Sequence, residues 1–313
     1  MNPAVSVILP THNRAELLME AVESVRTQTF ASWELLIVDD GSADGTAEAV
    51  RAACAADPRI RSIRQANQGV AAARNAGIAA SRGELIAFLD DDDRWLPRKL
   101  EAQTAFMQAH AALGFSYTRY QFVGGLSGRV RIDPPRLLTT FEELLSVNCI
   151  NTSTVMVRRD ALDTVGGFKA VYQLNEDYHL WLRIAQQFPI GALGDPLAVY
   201  THRSAVRRLT QDRMVLALTG IHALADLRLE GRCRKVRRAH IAKIHYELGR
   251  TCWNAEAYWR AAKHFTLALC THPLARVLAR KRNERGLGLA LHVLKGYLSV
   301  PWCLVKGALH AGR

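Results

Sequence analysis

Four consecutive acids, Asp90-Asp91-Asp92-Asp93, end an apolar run, Ile86-Ala87-Phe88-Leu89, and lead straight into Arg94-Trp95-Leu96-Pro97. An unbroken apolar run of this length predicts a short strand covered on both faces. The acids then stand at the carboxyl end of a strand, where open α/β sheets place their ligands. Adjacent like charges repel, and burying them without partners costs several kcal/mol. A divalent cation relieves that repulsion, and oxygen-only donors suit Mg²⁺ or Mn²⁺ rather than zinc. A solvated acidic turn would use the same residues, but it need not follow a buried strand so closely. A second acidic pair, Glu176-Asp177, opens an amphipathic pattern over 176–184. Acids at a helix start cap free amides and meet the helix dipole, so capping alone accounts for this pair.

The elements that must position these acids alternate between strand and helix. Val5–Pro10 predicts a first strand ended by proline, which cannot donate to a central ladder. Asn13 is placed to cap a helix over Ala15–Thr29 with Leu17, Leu18, Ala21, Val22 and Val25 inward. Glu34–Val38 predicts a second buried strand that ends on Asp39-Asp40-Gly41-Ser42, followed by a helix from near Gly45. A strand over Ile60–Arg64, a helix over Val70–Ala80 holding Arg74 and Asn75, and the acidic strand complete a doubly wound, largely parallel α/β sheet. Beyond it come a helix over Pro97–Ala109, a weakly patterned stretch from Phe115 to Leu138, and a strand over Thr154–Val157. A short helix over Arg159–Val165 and a closing strand over Leu197–Tyr200 follow, with His202 just after. No strand end carries Gly-x-Gly-x-x-Gly or Gly-Lys-Ser/Thr, which disfavours a dinucleotide dehydrogenase and a phosphate-loop hydrolase. Phosphate charge would then be met by metal and arginine.

Charge divides the chain unevenly. Residues 1–200 hold 19 Lys and Arg against 23 Asp and Glu, a net of −4, whereas residues 201–313 hold 22 against 6, a net of +16. No 18-residue apolar run predicts a membrane-spanning helix. The first residues lack the basic and apolar regions of a signal peptide, and six scattered cysteines suit neither zinc nor a disulfide framework, so a cytoplasmic location is expected.

Six motifs in order give the sequence a family resemblance. They are Val5–Arg14, Val38-Asp39-Asp40-Gly41-Ser42, Asn67-Gln68-Gly69 with Ala73-Arg74-Asn75, Phe88–Pro97, Val165-Gly166-Gly167-Phe168 and Glu176–Arg183. Over roughly residues 4–203 the chain resembles the inverting nucleotide-sugar glycosyltransferases of family two, with a glycosyltransferase A-type fold. The resemblance implies that Pro10 and Thr11 frame the nucleobase, that Asp40 accepts from it with Arg74 nearby, and that Asp90 and Asp91 contact the donor. It places the metal on Asp92, with the choice among the four acids, Asp93 included, left open. Asp177 matches the catalytic base, with Glu176 beside it, and His202 stands where some members place a residue near the diphosphate or metal. It further implies a Mn²⁺ or Mg²⁺ cofactor, a nucleoside-diphosphate sugar as donor (a UDP-sugar foremost) and a glycan or lipid-linked acceptor of the cell envelope. The chemistry agrees: a leaving diphosphate gains charge that a divalent ion stabilises, and a carboxylate takes the acceptor proton, worth about 10²–10⁴-fold. One base and one direct displacement invert the anomeric centre. The competing readings are a catalytically inactive nucleotide-sugar binder, or a protein that binds membrane or nucleic acid through its basic tail. A nucleotidyltransferase would want a glycine-rich basic loop after the first strand.

The expected domains are 1–203, catalytic, and 204–313, a basic helical extension. The extension predicts a helix over Leu209–Leu229, a basic run at Arg232–Arg238, and a tetratricopeptide-like hairpin over Tyr246–Arg250 and Ala257–Leu269. Gly286–Leu309 has the pattern of a helix lying in a membrane interface, so peripheral attachment to an anionic inner-membrane face is expected. A solvated helical cap is the plain alternative, and nucleic acid ranks last because no nucleic-acid module accompanies the charge.

Overall fold

The computed structural model describes residues 2–124, 130–134, 136–172, 174–202 and 213–271. Strands β1 (Val5–Thr11), β2 (Trp33–Asp39), β3 (Ile60–Arg64) and β4 (Leu85–Phe88) alternate with helices α1 (Ala15–Arg26), α2 (Thr46–Ala56) and α3 (Val70–Ala80). β1, β2 and β4 are buried along their whole lengths, as unbroken apolar runs with helices on both faces require. β5 (Asp93–Trp95), α4 (Lys99–Ala109), β6 (Phe115–Gly124) and β7 (Val130–Asp133) follow, then α5 (Phe141–Ser146), β8 (Val155–Arg158) and α6 (Arg159–Val165). α7 (Glu176–Ala185) and β9 (Ile190–His202) complete the set.

The sheet runs β3-β2-β1-β4-β8-β6-β9-β5, with β7 paired to β6. The expectation of a largely parallel sheet holds for β3-β2-β1-β4 and for the β6/β9 pair, and fails at the other pairings. β1/β2, β1/β4, β2/β3 and β6/β9 are parallel, whereas β4/β8, β6/β8, β6/β7 and β5/β9 are antiparallel. The reason is local: β8 enters from a turn rather than from a crossover helix, and an antiparallel neighbour needs no crossover. Ser116 pairs with Met156, which pairs with Ala87, so β6 beyond Thr118 runs past the end of β4. β9 accompanies it in parallel to His202. These two long arms stand beside the acidic run. The weak pattern at 115–124 concealed a ten-residue strand, because its second half is only partly buried.

Asn13 does not cap α1. The helix begins after Arg14 without a side-chain cap, and Asn13, at φ 54°, accepts from the Ala43 amide at 2.8 Å instead. That bond ties the β1–α1 loop to the β2–α2 loop. Gly41 is required there, since at φ 78° an added Cβ would stand 2.8 Å from the Asn67 nitrogen.

The chain forms two compact units, residues 1–144 with 148–209, and 145–147 with 210–313. In the second, α8 (Arg213–Asp226), α9 (Gly231–Asn254) and α10 (Tyr258–Thr271) are helical. Part of the basic run binds carbonyls at segment ends. Arg237 Nη1 donates to Leu227 O at 2.7 Å and Arg238 Nε to Thr271 O at 2.9 Å, as cations near helix C-termini should. The segment Gly286–Leu309 lies outside the described residues, and among those described no helix is long and apolar enough to cross a membrane.

Candidate active site

The acids leave β4 in a tight turn that a serine holds. Ser153 Oγ accepts from the Asp90 amide at 3.1 Å and donates to Asp93 Oδ2 at 2.6 Å, while Trp95 Nε1 donates to the Ser153 carbonyl at 2.7 Å. Asp93 therefore points inward as a buried structural acid. Ser153 itself is held by an Asn151 side chain that accepts its amide at 2.8 Å.

The other three acids are shared between two arginines. Arg14 Nη1 lies 2.9 Å from Asp91 Oδ1 and 3.2 Å from Asp92 Oδ2. Thr11 Oγ1 donates to the second oxygen of Asp91 at 2.8 Å. Burial pushes the Asp91 carboxyl up to about 6, against the opposing pull of Arg14 and Thr11. Arg74, on α3, is buried and donates from Nη2 to Asp90 Oδ1 at 2.7 Å and from Nη1 to Glu176 Oε1 at 2.8 Å. Burial alone would lower its pKa, but Asp90 and Glu176 reverse that and raise it. Arg74 is thus the clamp between the end of β4 and the start of α7. Its guanidinium also lies 5.3 Å from the Phe168 ring, which packs with Phe88 and Trp181 beneath the site.

Asp177 sits on the first turn of α7. Its Oδ2 accepts from Thr152 Oγ1 at 2.7 Å and its Oδ1 from the Tyr178 amide at 2.6 Å. Burial first, and Glu176 second, push its carboxyl up to about 6, while Arg74 and Thr152 oppose them. A carboxylate so tuned can take a proton near neutrality. The loop before α7 is fixed by Asn75, which donates to Phe168 O and accepts from Phe168 N, both at 2.8 Å. Gly167 is needed for that approach, since a Cβ there would stand 2.3 Å from Asn75 Oδ1.

Asp40 follows directly on β2 and holds the β3–α3 loop, accepting from Gln65 Nε2 at 2.8 Å, Gln68 N at 2.9 Å and Gly69 N at 2.8 Å. Pro10 stands opposite Val38 in the β1/β2 pairing and Thr11 opposite Asp39. His202 ends β9 in register with Gly124, and only its backbone is described. The structure therefore gathers Thr11, Asp91 and Asp92 around Arg14, Asp90 and Glu176 around Arg74, and Asp177 on Thr152 beside Glu176. Asp40 braces the loop that leads into α3. Arg14, Thr152 and Ser153 are further members that sequence reasoning passed over. Arg14 lay within a quoted motif, but nothing in the spacing of Thr152 and Ser153 pointed to the acids.

A divalent ion would meet two carboxylates here, Asp90 and Asp92, rather than a protein cage. Asp91 has both oxygens engaged, while Asp90 has the most exposed side chain of the three (31%) and its Oδ2 takes no hydrogen bond among the described residues. Among the described residues no group of three or more His, Cys, Asp or Glu could hold a metal. Asp90 and Asp92 would supply oxygen donors, leaving other positions to phosphate oxygens and water, the usual way Mg²⁺ is held at phosphate sites.

Paired acids thus gather at the strand ends of a mixed α/β sheet, beside a helix that opens on Glu176 and Asp177. The Glycosyl transferase family 2 model matches residues 6–166, and the chain belongs to that family. It is similar to an uncharacterized glycosyltransferase of Rickettsia felis, with 34% identity over 203 residues, 62% of this chain and 32% of that one. It is also similar to the UDP-Glc:alpha-D-GlcNAc-diphosphoundecaprenol beta-1,3-glucosyltransferase WfgD of Escherichia coli, with 35% identity over 191 residues, 60% of this chain and 72% of that one. The chain thus spans about a third of the length of the Rickettsia relatives it matches. Its fold is that of S. aureus TarS 1–349 in complex with UDP-GlcNAc, at a TM-score of 0.68 and 20% identity, covering 98% of this chain and 92% of that one.

Proposed function

We propose that the chain transfers a sugar from a nucleoside diphosphate, a UDP-sugar foremost, to a hydroxyl of a cell-envelope glycan or lipid-linked acceptor, with inversion. The observation that supports it most is the Arg74 clamp, which joins a donor-side acid, Asp90, to the helix that bears Asp177. Asp177 takes the proton of the acceptor hydroxyl. The oxygen forms its bond to C1 as the bond from C1 to the phosphate oxygen breaks, and the electron pair leaves with the nucleoside diphosphate. Thr152 holds the Asp177 carboxylate in place for that transfer. Pro10, Thr11 and Asp40 line the nucleobase side, and Asp90 and Asp92 would hold Mn²⁺ or Mg²⁺. Bound there, the ion would offset charge on the departing diphosphate. Arg14 and Arg74 fix the acids and limit their mutual repulsion.

On the second unit, exposed Lys235, Arg250, Arg260 and Lys263 accompany a Trp259 that is 52% exposed. This pairing of charge with apolar area supports attachment to an anionic membrane surface, where a lipid-linked acceptor would be met. The enzyme reading is tested by screening nucleotide sugars for hydrolysis or transfer with Mn²⁺ present. Turnover of one donor class supports it. No turnover and no nucleoside diphosphate binding would overturn it.

A further inference from the structure

Exposure alternates along the acidic run. Asp90 and Asp92 are part-exposed, whereas Asp91 and Asp93 are buried. Each buried acid accepts from a buried hydroxyl, Asp91 from Thr11 Oγ1 at 2.8 Å and Asp93 from Ser153 Oγ at 2.6 Å. Ser153, 1% exposed, grips the run at both ends, because the oxygen that donates to Asp93 also accepts from the Asp90 amide at 3.1 Å. Between those ends the Asp93 amide donates to the Asp90 carbonyl at 3.1 Å and closes the turn. Ser153 is itself fixed, since Asn151 Oδ1 accepts from its amide and Trp95 Nε1 donates to its carbonyl. Its neighbour on the same short 3₁₀ turn, Thr152, donates to Asp177 Oδ2 at 2.7 Å. Two adjacent hydroxyls therefore reach the two sets of carboxylates that a sugar transfer would use.

We propose that Ser153 is a positioning residue for the donor's divalent ion: it turns the run so that Asp90 and Asp92 face outward, with Asp93 as its anchor and not a ligand. This rests on the sugar-transfer reading above, in which Asp90 and Asp92 meet the ion. Four adjacent carboxylates left loose would repel one another and compete for one cation. Pairing of Asp93 with Tyr200 in the β5/β9 ladder fixes where Asp93 stands in the sheet, but not where its carboxylate points. The Ser153 hydroxyl sets that direction. Without it, the Asp93 carboxylate loses a buried donor and gains by turning towards water, while the Asp90 amide loses its acceptor. Both movements shift the acids between them. Thr152 and Ser153 then divide two tasks, one hydroxyl holding the base and the other the acids on the donor side.

Mn²⁺ titrations of the full chain, followed by loss of the free ion's electron paramagnetic resonance signal with and without UDP, test this. The wild type should bind Mn²⁺, and more tightly with UDP. Ser153→Ala should weaken Mn²⁺ binding by about 10–100-fold, the usual effect of losing a group that orients metal ligands. UDP binding measured without metal should stay as in the wild type. Thr152→Val, one residue away, should leave Mn²⁺ affinity unchanged. Ser153→Cys, close in volume and a weaker donor, should fall between and serves in place of an alanine variant that does not fold. Wild-type Mn²⁺ affinity in whichever Ser153 variant folds, an equal loss in Thr152→Val, or no Mn²⁺ binding by the wild type would overturn the assignment. Mn²⁺ binding that depends on Ser153, with no UDP binding at all, would sink the donor reading and leave the role of Ser153 standing.

Discussion

Replacing Thr152 by valine removes the hydroxyl that donates to Asp177 Oδ2 at 2.7 Å and keeps the side chain's shape. A hydrogen bond to a charged group contributes about 1.5–3 kcal/mol, and a neutral carboxyl retains part of it. The difference between the two protonation states is then on the order of 1.4 kcal/mol, which is about one pKa unit. The bond stabilises the ionised form, so its loss raises a carboxyl that already stands at about 6. A general base works only when ionised. For the wild type, kcat/KM should therefore climb through about pH 6 and level above it, reporting the free enzyme. In Thr152→Val the limb should move to about pH 7, with rates down several-fold at pH 6 and near normal at pH 8.5. The assay is donor turnover at low substrate and fixed Mn²⁺ between pH 5 and 9. An unmoved limb, or an equal loss at every pH, would refute the link between Thr152 and the base.

Three other outcomes follow from the geometry. Lys99 is fully buried, 3.9 Å from the Trp95 ring, and burial drives its pKa well down, below the unfolded value. The unfolded chain then binds the extra proton, so stability should rise with pH towards the lysine range; Lys99→Met should abolish that slope and stabilise by about 1–4 kcal/mol in denaturant titrations, and an unchanged slope would contradict it. Arg74→Met strands the buried Glu176 carboxylate and should cost about 3–5 kcal/mol of stability, whereas a change within experimental error would mean the clamp is idle. The full chain should sediment with vesicles containing anionic lipid, less so at high salt, and equal recovery in the supernatant with neutral vesicles would make the basic helices a cap.

What could be read in advance followed from residue pattern. The unbroken apolar runs of β1, β2 and β4 announced buried parallel strands, and α3 was placed residue for residue at Val70–Ala80. The antiparallel pairing was not legible, although strands over Thr154–Val157 and Leu197–Tyr200 were read from their apolar runs. β5 spans only three residues, Asp93–Trp95, at the end of the acidic run, and the first half of the thirteen-residue β9 was hidden because Gly191, Gly194, Asp195 and Pro196 interrupt any strand period. At the site, the acids were visible by type and adjacency. Their partners were not, since Ser153 lies 63 residues from Asp90 and 60 from Asp93, and Thr152 lies 25 from Asp177, so only folding brings them into hydrogen-bond reach. Arg74 was visible as a cation, yet its double engagement depends on two elements 102 residues apart. Asn13 carried a capping signal that the tertiary bond to Ala43 overrode.

The most direct test of the account is Asp177→Asn, read out by donor binding and transfer together. The amide keeps the shape but cannot take the acceptor proton. Calorimetric binding of the nucleoside diphosphate should stay within about twofold of wild type, while transfer falls by about 10²–10⁴-fold. Transfer at a near-normal rate would show that Asp177 is not the base.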